Sequence, residues 1–86
     1  MRISWKEERM KIHKFTPAQQ DLFREECNFS EFEMHCFECK VNRQTDIQIS
    51  IDSHVSESTV AKTMRIVRSK IVDVMQEHLT LPIYDD

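Results

Sequence analysis

Glycine is missing from this chain, and only two prolines occur, Pro17 and Pro82. Without glycine, any turn that needs a positive φ must fall to Asn, Asp or His, the residues that tolerate it best. The absence also removes every glycine loop and nucleophile elbow from consideration, and with them the commonest signatures of catalysis. No apolar run approaches the roughly 20 residues of a membrane-spanning helix. The N-terminus "MRISWKEERMK" carries charge where a secretory signal would have its apolar core. A cytoplasmic protein with reduced cysteines is the expectation. The cysteines number three, and an odd count argues against a closed disulfide framework.

What is present is a soluble globular balance: 40% hydrophobic and 31% charged residues over 86 positions. That length bounds the chain to one domain, residues 1–86, with a small core. The net charge of −3 conceals a strong segregation. Residues 1–14 carry five Lys/Arg against two Glu, and residues 15–39 carry six acids against Arg24. Residues 57–70 carry four bases against Glu57, and residues 71–86 carry four acids and no base. The two basic blocks can therefore form a face that the net charge does not report.

Few chain breakers and little strict alternation predict an all-α fold of four to five helices. Helix starts are well marked. Thr16 is an N-cap followed by Pro17 at the first helical position, with Gln19 two residues on, and its helix runs to about Cys27. Ser30 with Glu33 is a capping box for a helix to about Val41. Thr45 with Gln48 repeats that pattern for a short helix to about Ser53. Ser56 caps a long final helix, to about His78, whose Val60, Met64, Val67, Ile71 and Val74 recur at helical spacing. Residues 1–15 form a basic segment in which Ile3, Trp5, Met10 and Ile12 suit a hairpin or a short helix equally. Residues 79–86 form a tail that cannot stay helical through Pro82.

A short helix, a tight connection around His54 and Val55, and a longer helix with basic outward positions make a helix-turn-helix pattern in the C-terminal half. Over residues 30–71 the chain resembles the helix-turn-helix of LuxR-type (GerE-type) regulators and of region four of bacterial sigma factors. Ser30 takes the first cap, and Cys36, Phe37 and Cys39 take aliphatic positions. Thr45 is the second cap, and Gln48, Ile49 and Ser50 stand where the pattern has Glu-Ile-Ala. Val55 takes the second Ile, and Ser56, Thr59 and Val60 match the Ser-x-x-Thr-Val signature, with Lys62 at a usual basic position. Two positions depart: His54 replaces the turn glycine and Ser53 replaces a leucine. A small rotation of the helix that brings in Ile47 and Ile51 is expected to offset the lost leucine.

The resemblance implies sequence-dependent binding of double-stranded DNA and a role in transcription regulation, as in small bacterial or phage regulators. The expected contacts are Thr45, Ser56, Glu57, Ser58, Thr59, Ala61, Lys62, Arg65 and Arg68, with base edges read early in the final helix and phosphates held by the bases and hydroxyls. The alternative is a sigma-region-four-like module that docks on RNA polymerase or another regulator. A homodimer through the C-terminal helix is expected from the stripe Val72, Val74, Met75 and Leu79, continued by Leu81, Ile83 and Tyr84. The competing arrangement folds the tail back on Trp5 or Phe15 and leaves a monomer.

The run "HCFEC" at 35–39, with Cys27, invites a metal reading, yet its cysteines occupy positions suited to small buried hydrophobes. No metal or cofactor is expected, and no paired carboxylates or oriented Cys/His pair suggest an enzyme. Phe15, Phe23, Phe29, Phe32 and Phe37, with Trp5, are expected to pack the first helix against the helix-turn-helix.

Overall fold

The computed structural model describes residues 10–77. Among them the chain is all-helical, with no strand. A 3-10 turn over Ile12–Lys14 precedes α1 (Pro17–Glu26), α2 (Glu31–Val41), α3 (Asp46–Ser53) and α4 (Glu57–Glu77). Of the ambiguous N-terminal segment the described part, residues 10–15, holds a 3-10 turn, and residues 1–9, with Ile3 and Trp5, lie outside the described residues.

The helix starts follow from side-chain capping of otherwise unpaired N–H groups. Thr16, Ser30 and Thr45 each accept from the N–H three residues on, and Gln19, Glu33 and Gln48 return the bond to the cap's own N–H. Ser56 Oγ accepts from Thr59 N at 3.2 Å and starts α4.

The helix ends show how a chain without glycine turns. Asn28, Arg43 and His54 take positive φ values of 54°, 66° and 59°, one shortly after each of the first three helices. Asn and His fit the expectation, whereas Arg43 is an unexpected third. At Arg43 and at His54 the next residue closes the helix in a Schellman pattern. Gln44 N donates to Cys39 O at 3.0 Å, and Val55 N donates to Ser50 O at 3.1 Å. Val55 then packs against the core, the apolar contact that usually accompanies this motif.

Helix α4 is the spine, packed against α1, α2 and α3, while the 3-10 turn lies on α2. Its Val60, Met64, Val67 and Ile71 are fully buried with Phe23, Cys36, Phe37 and Ile49. Burying a side chain of this size is worth about 1.5–3 kcal/mol. Phe15 meets Phe23 edge-on with centroids 4.9 Å apart, and Phe29 lies 5.1 Å from Phe37. Gln20 is buried and its amide donates to the carbonyls of Ile12 and Phe15, which holds the 3-10 turn against α1. Arg24 grips Glu38 through two nitrogens and lies over the Phe37 ring, joining α1 to α2.

Three expectations need correction. Ile47 and Ile51 do not turn inward to replace a leucine at Ser53: they are 54% and 66% exposed. The inward positions of α3 are Ile49 and Ser50, and Ser50 Oγ is satisfied by its donation to Ile47 O at 2.8 Å. Second, Val72, Val74 and Met75 are buried within the single chain, so these members of the expected dimer stripe offer no open apolar face. Leu79 and the rest of the tail, with His78, lie outside the described residues. Third, Arg68 is not a solvated outward residue, as described next.

Candidate nucleic-acid interface

The turn His54–Val55–Ser56 presents the start of α4 to solvent. Val60, Met64, Val67 and Ile71 face the core, which leaves the opposite side of the first two and a half turns open. Glu57, Ser58, Thr59, Ala61, Lys62 and Arg65 are all exposed there, as their spacing predicts. Ser56 Oγ lies 3.1 Å from Ser58 Oγ and 3.0 Å from Thr59 Oγ1. Three hydroxyls thus gather at the helix start, where backbone N–H groups favour an anion. No carboxylate among the described residues pairs with Lys62 or Arg65.

The other two bases of the block behave differently. Lys70 Nζ binds Glu33 Oε1 at 2.6 Å and Asn28 O at 3.3 Å, so it ties α4 to α2. Arg68 is half-buried, and its Nε is buried without a hydrogen-bond partner. Burial holds its guanidinium below the usual arginine value, and the charge of Asp46 opposes that shift.

Arg68 and Thr45 meet around a cavity of about 490 Å³, lined also by Lys11, His13, Lys40, Arg43, Gln44 and Asp46. Thr45 Oγ1 is already engaged in its cap with Gln48 N at 3.2 Å. Lys40 Nζ lies 2.7 Å from Asp46 Oδ1, an ion pair rather than an aligned hydrogen bond. His13 is held below its ordinary value by burial, then by the charges of Arg43, Lys14 and Lys11. The structure therefore divides the expected contacts. Ser56 to Arg65 form one exposed row, while Thr45 and Arg68 belong to a separate basic recess. Lys11, Lys40 and Arg43 were not foreseen there. Their only sequence signal was their charge, because residues of three separate segments meet in this recess.

The cysteines take no part in either surface. Cys27, Cys36 and Cys39 are buried and unbridged. Burial pushes the Cys27 thiol up to about 12 and the Cys36 thiol up to about 11. Cys39 Sγ is 3.6 Å from His35 Nε2. Among the described residues no three His, Cys, Asp or Glu side chains come together as a metal site. No described helix is long and apolar enough to cross a membrane.

No family model, curated protein or solved structure matches the chain.

Proposed function

We propose that this protein binds double-stranded DNA as a cytoplasmic transcription regulator, with α3, the turn and α4 as a helix-turn-helix of the LuxR and sigma-region-four kind. One observation carries the reading: Lys62 and Arg65 stand exposed, and without acid partners among the described residues, just beyond a capped helix start bearing three hydroxyls. The early face of α4, from Ser56 to Ala61, would read base edges, and Lys62 and Arg65 would hold flanking phosphates or reach a guanine. The left-handed turn at His54 supports this reading, since it sets α3 against α4 with only three residues between them. A single such domain makes few phosphate contacts and should bind weakly at physiological salt. Pairing of two copies would raise the affinity, through surfaces other than Val72, Val74 and Met75.

The test is duplex binding by fluorescence anisotropy across a salt series. Affinity should fall steeply with salt, with a slope of about −0.9 per phosphate neutralised. No detectable binding at about 50 mM salt, where a contact set of this kind is strongest, defeats the proposal.

A second reading has an observation of its own. Ile47 and Ile51 are one turn apart on the outer face of α3, and both are more than half exposed. Such a pair suits docking on another protein, of which RNA polymerase is the partner the resemblance implies. Ile47→Ser with Ile51→Ser should then abolish the protein contact and leave duplex affinity unchanged. Catalysis is no part of either reading.

A further inference from the structure

We propose that the recess between the 3-10 turn, the α2–α3 loop and α4 is a binding site for the phosphate monoester group of a small phosphorylated ligand. Four permanent cations line it, Lys11, Lys40, Arg43 and Arg68, against the single carboxylate of Asp46. That carboxylate is already engaged by Lys40. Lys11 and Arg43 have no acid partner among the described residues. Among the described residues the recess therefore holds a net positive charge that an anion would neutralise.

Three buried atoms in its walls lack a hydrogen-bond partner; Asp46 Oδ1 has the Lys40 ammonium beside it, and the other two narrow the ligand's chemistry. Arg68 Nε is a donor without an acceptor, and Gln44 Oε1 is an acceptor without a donor. Leaving either unpaired away from water carries a penalty. One group that answers both must carry anionic oxygens for the guanidinium fork and a hydroxyl proton for the amide oxygen. A singly protonated phosphate monoester has both. Sulfate and a carboxylate have no such proton, and neither does the diester of a nucleic-acid backbone. The volume of about 490 Å³ falls in the range of small-molecule pockets, so there is room for the organic part of the ligand. His13, also in the lining, is held below its ordinary value first by burial and then by the charges of Arg43, Lys14 and Lys11. Arg43, the left-handed residue of the Schellman turn at φ 66°, lines the recess.

The inference does not rest on DNA binding, whose contacts at Lys62 and Arg65 lie outside the recess. The test is a titration of the ¹⁵N-labelled full chain at constant ionic strength, followed by amide shifts. At a pH below about 6, where a phosphate monoester keeps one proton, inorganic phosphate and phenyl phosphate should give saturable shifts centred on Lys11, Arg43, Gln44 and Thr45. Sulfate and dimethyl phosphate should bind at least about 5-fold more weakly, for want of the proton that Gln44 accepts. Arg43→Gln should weaken phosphate by about 10-fold or more through loss of a charge-assisted contact, and Arg68→Lys should do so by losing the planar fork. Arg43 is exposed, so its variant decides the matter should Arg68→Lys disturb the fold. Lys62→Ala should leave phosphate binding unchanged. The proposal is overturned if phosphate gives no saturable shift, if sulfate or dimethyl phosphate binds equally well, or if Arg43→Gln retains full affinity.

Discussion

Lys70 Nζ lies 2.6 Å from Glu33 Oε1, and the same oxygen accepts from the Ser30 N–H at 3.0 Å. One carboxylate oxygen thereby closes the capping box of α2 and anchors α4 across 37 positions of sequence. The Lys70 ammonium, followed by the Ser30 N–H, holds Glu33 below its ordinary value. A depressed carboxylate contributes stability above its unfolded value and loses it as pH falls through the folded one.

Glu33→Gln is therefore expected to cost about 1 kcal/mol at pH 7, the scale of a partly exposed ion pair plus a cap. The difference from the parent should shrink as pH falls through the parent's folded carboxyl value, which lies below that of a free glutamate. Urea unfolding at pH 7 and at pH 3 measures both. A gap of the same size at the two pH values would contradict the assignment.

Lys62→Ala and Arg65→Ala should leave the fold unchanged, within about 0.5 kcal/mol, because both side chains are exposed and have no acid partner among the described residues. A phosphate-holding base should weaken all duplexes alike and reduce the salt slope by about 1. A base-edge contact should instead relax preference at one position by about 1–3 kcal/mol. Parent-like affinity in the double variant would remove the observation on which the DNA reading rests.

His54→Gly should stabilise the protein. The residue sits at φ 59° and ψ 40°, where a side chain costs about 1–2 kcal/mol that glycine avoids. The extra freedom of glycine in the unfolded chain takes back part of this, leaving about 0.5–1 kcal/mol, or a rise in Tm of a few degrees. His54→Val should do the opposite, as β-branching is poorly tolerated at positive φ. Calorimetry of the two variants gives the sign directly.

The three thiols should be nearly inert in the native state. Cys27 and Cys36, pushed up to about 12 and about 11, hold almost no thiolate at pH 8, and all three are buried. An aromatic disulfide reagent should titrate three thiols rapidly in denaturant and react slowly without it. Cys36→Val with Cys39→Leu should fold, at a cost of about 1–3 kcal/mol if the larger Leu must be accommodated. Stoichiometric zinc in the purified parent, together with unfolding by a chelator, would instead assign these residues to a metal.

Local chemistry made the helices legible in advance. Thr16, Ser30, Thr45 and Ser56 each sit three residues before the N–H that they cap, and a bond spanning three residues is visible in a linear string. The inward stripe Val60, Met64, Val67 and Ile71 was legible for a similar reason, since helical geometry alone aligns it. The exposed row from Ser56 to Arg65 is its complement and came with it. The sequence by itself thus determined the class of fold, the helix boundaries and the outward face of the first half of α4.

What each charge does was decided only in three dimensions. Lys62, Arg65, Arg68 and Lys70 read as one basic block, yet the fold leaves two open, turns Arg68 into a recess and spends Lys70 on Glu33. The acids that decide this, Glu33 for Lys70 and Asp46 for Arg68, lie tens of positions away, and no local period encodes such contacts. The same holds for Ile47 and Ile51, whose exposure depends on which face of α3 the spine helix covers. It holds also for Val72, Val74 and Met75, apolar in any reading but assigned to the chain's own core by how α4 packs against its neighbours. Burial and ion pairing are properties of the packed whole, because the dielectric and the distances that set them exist only after the helices dock.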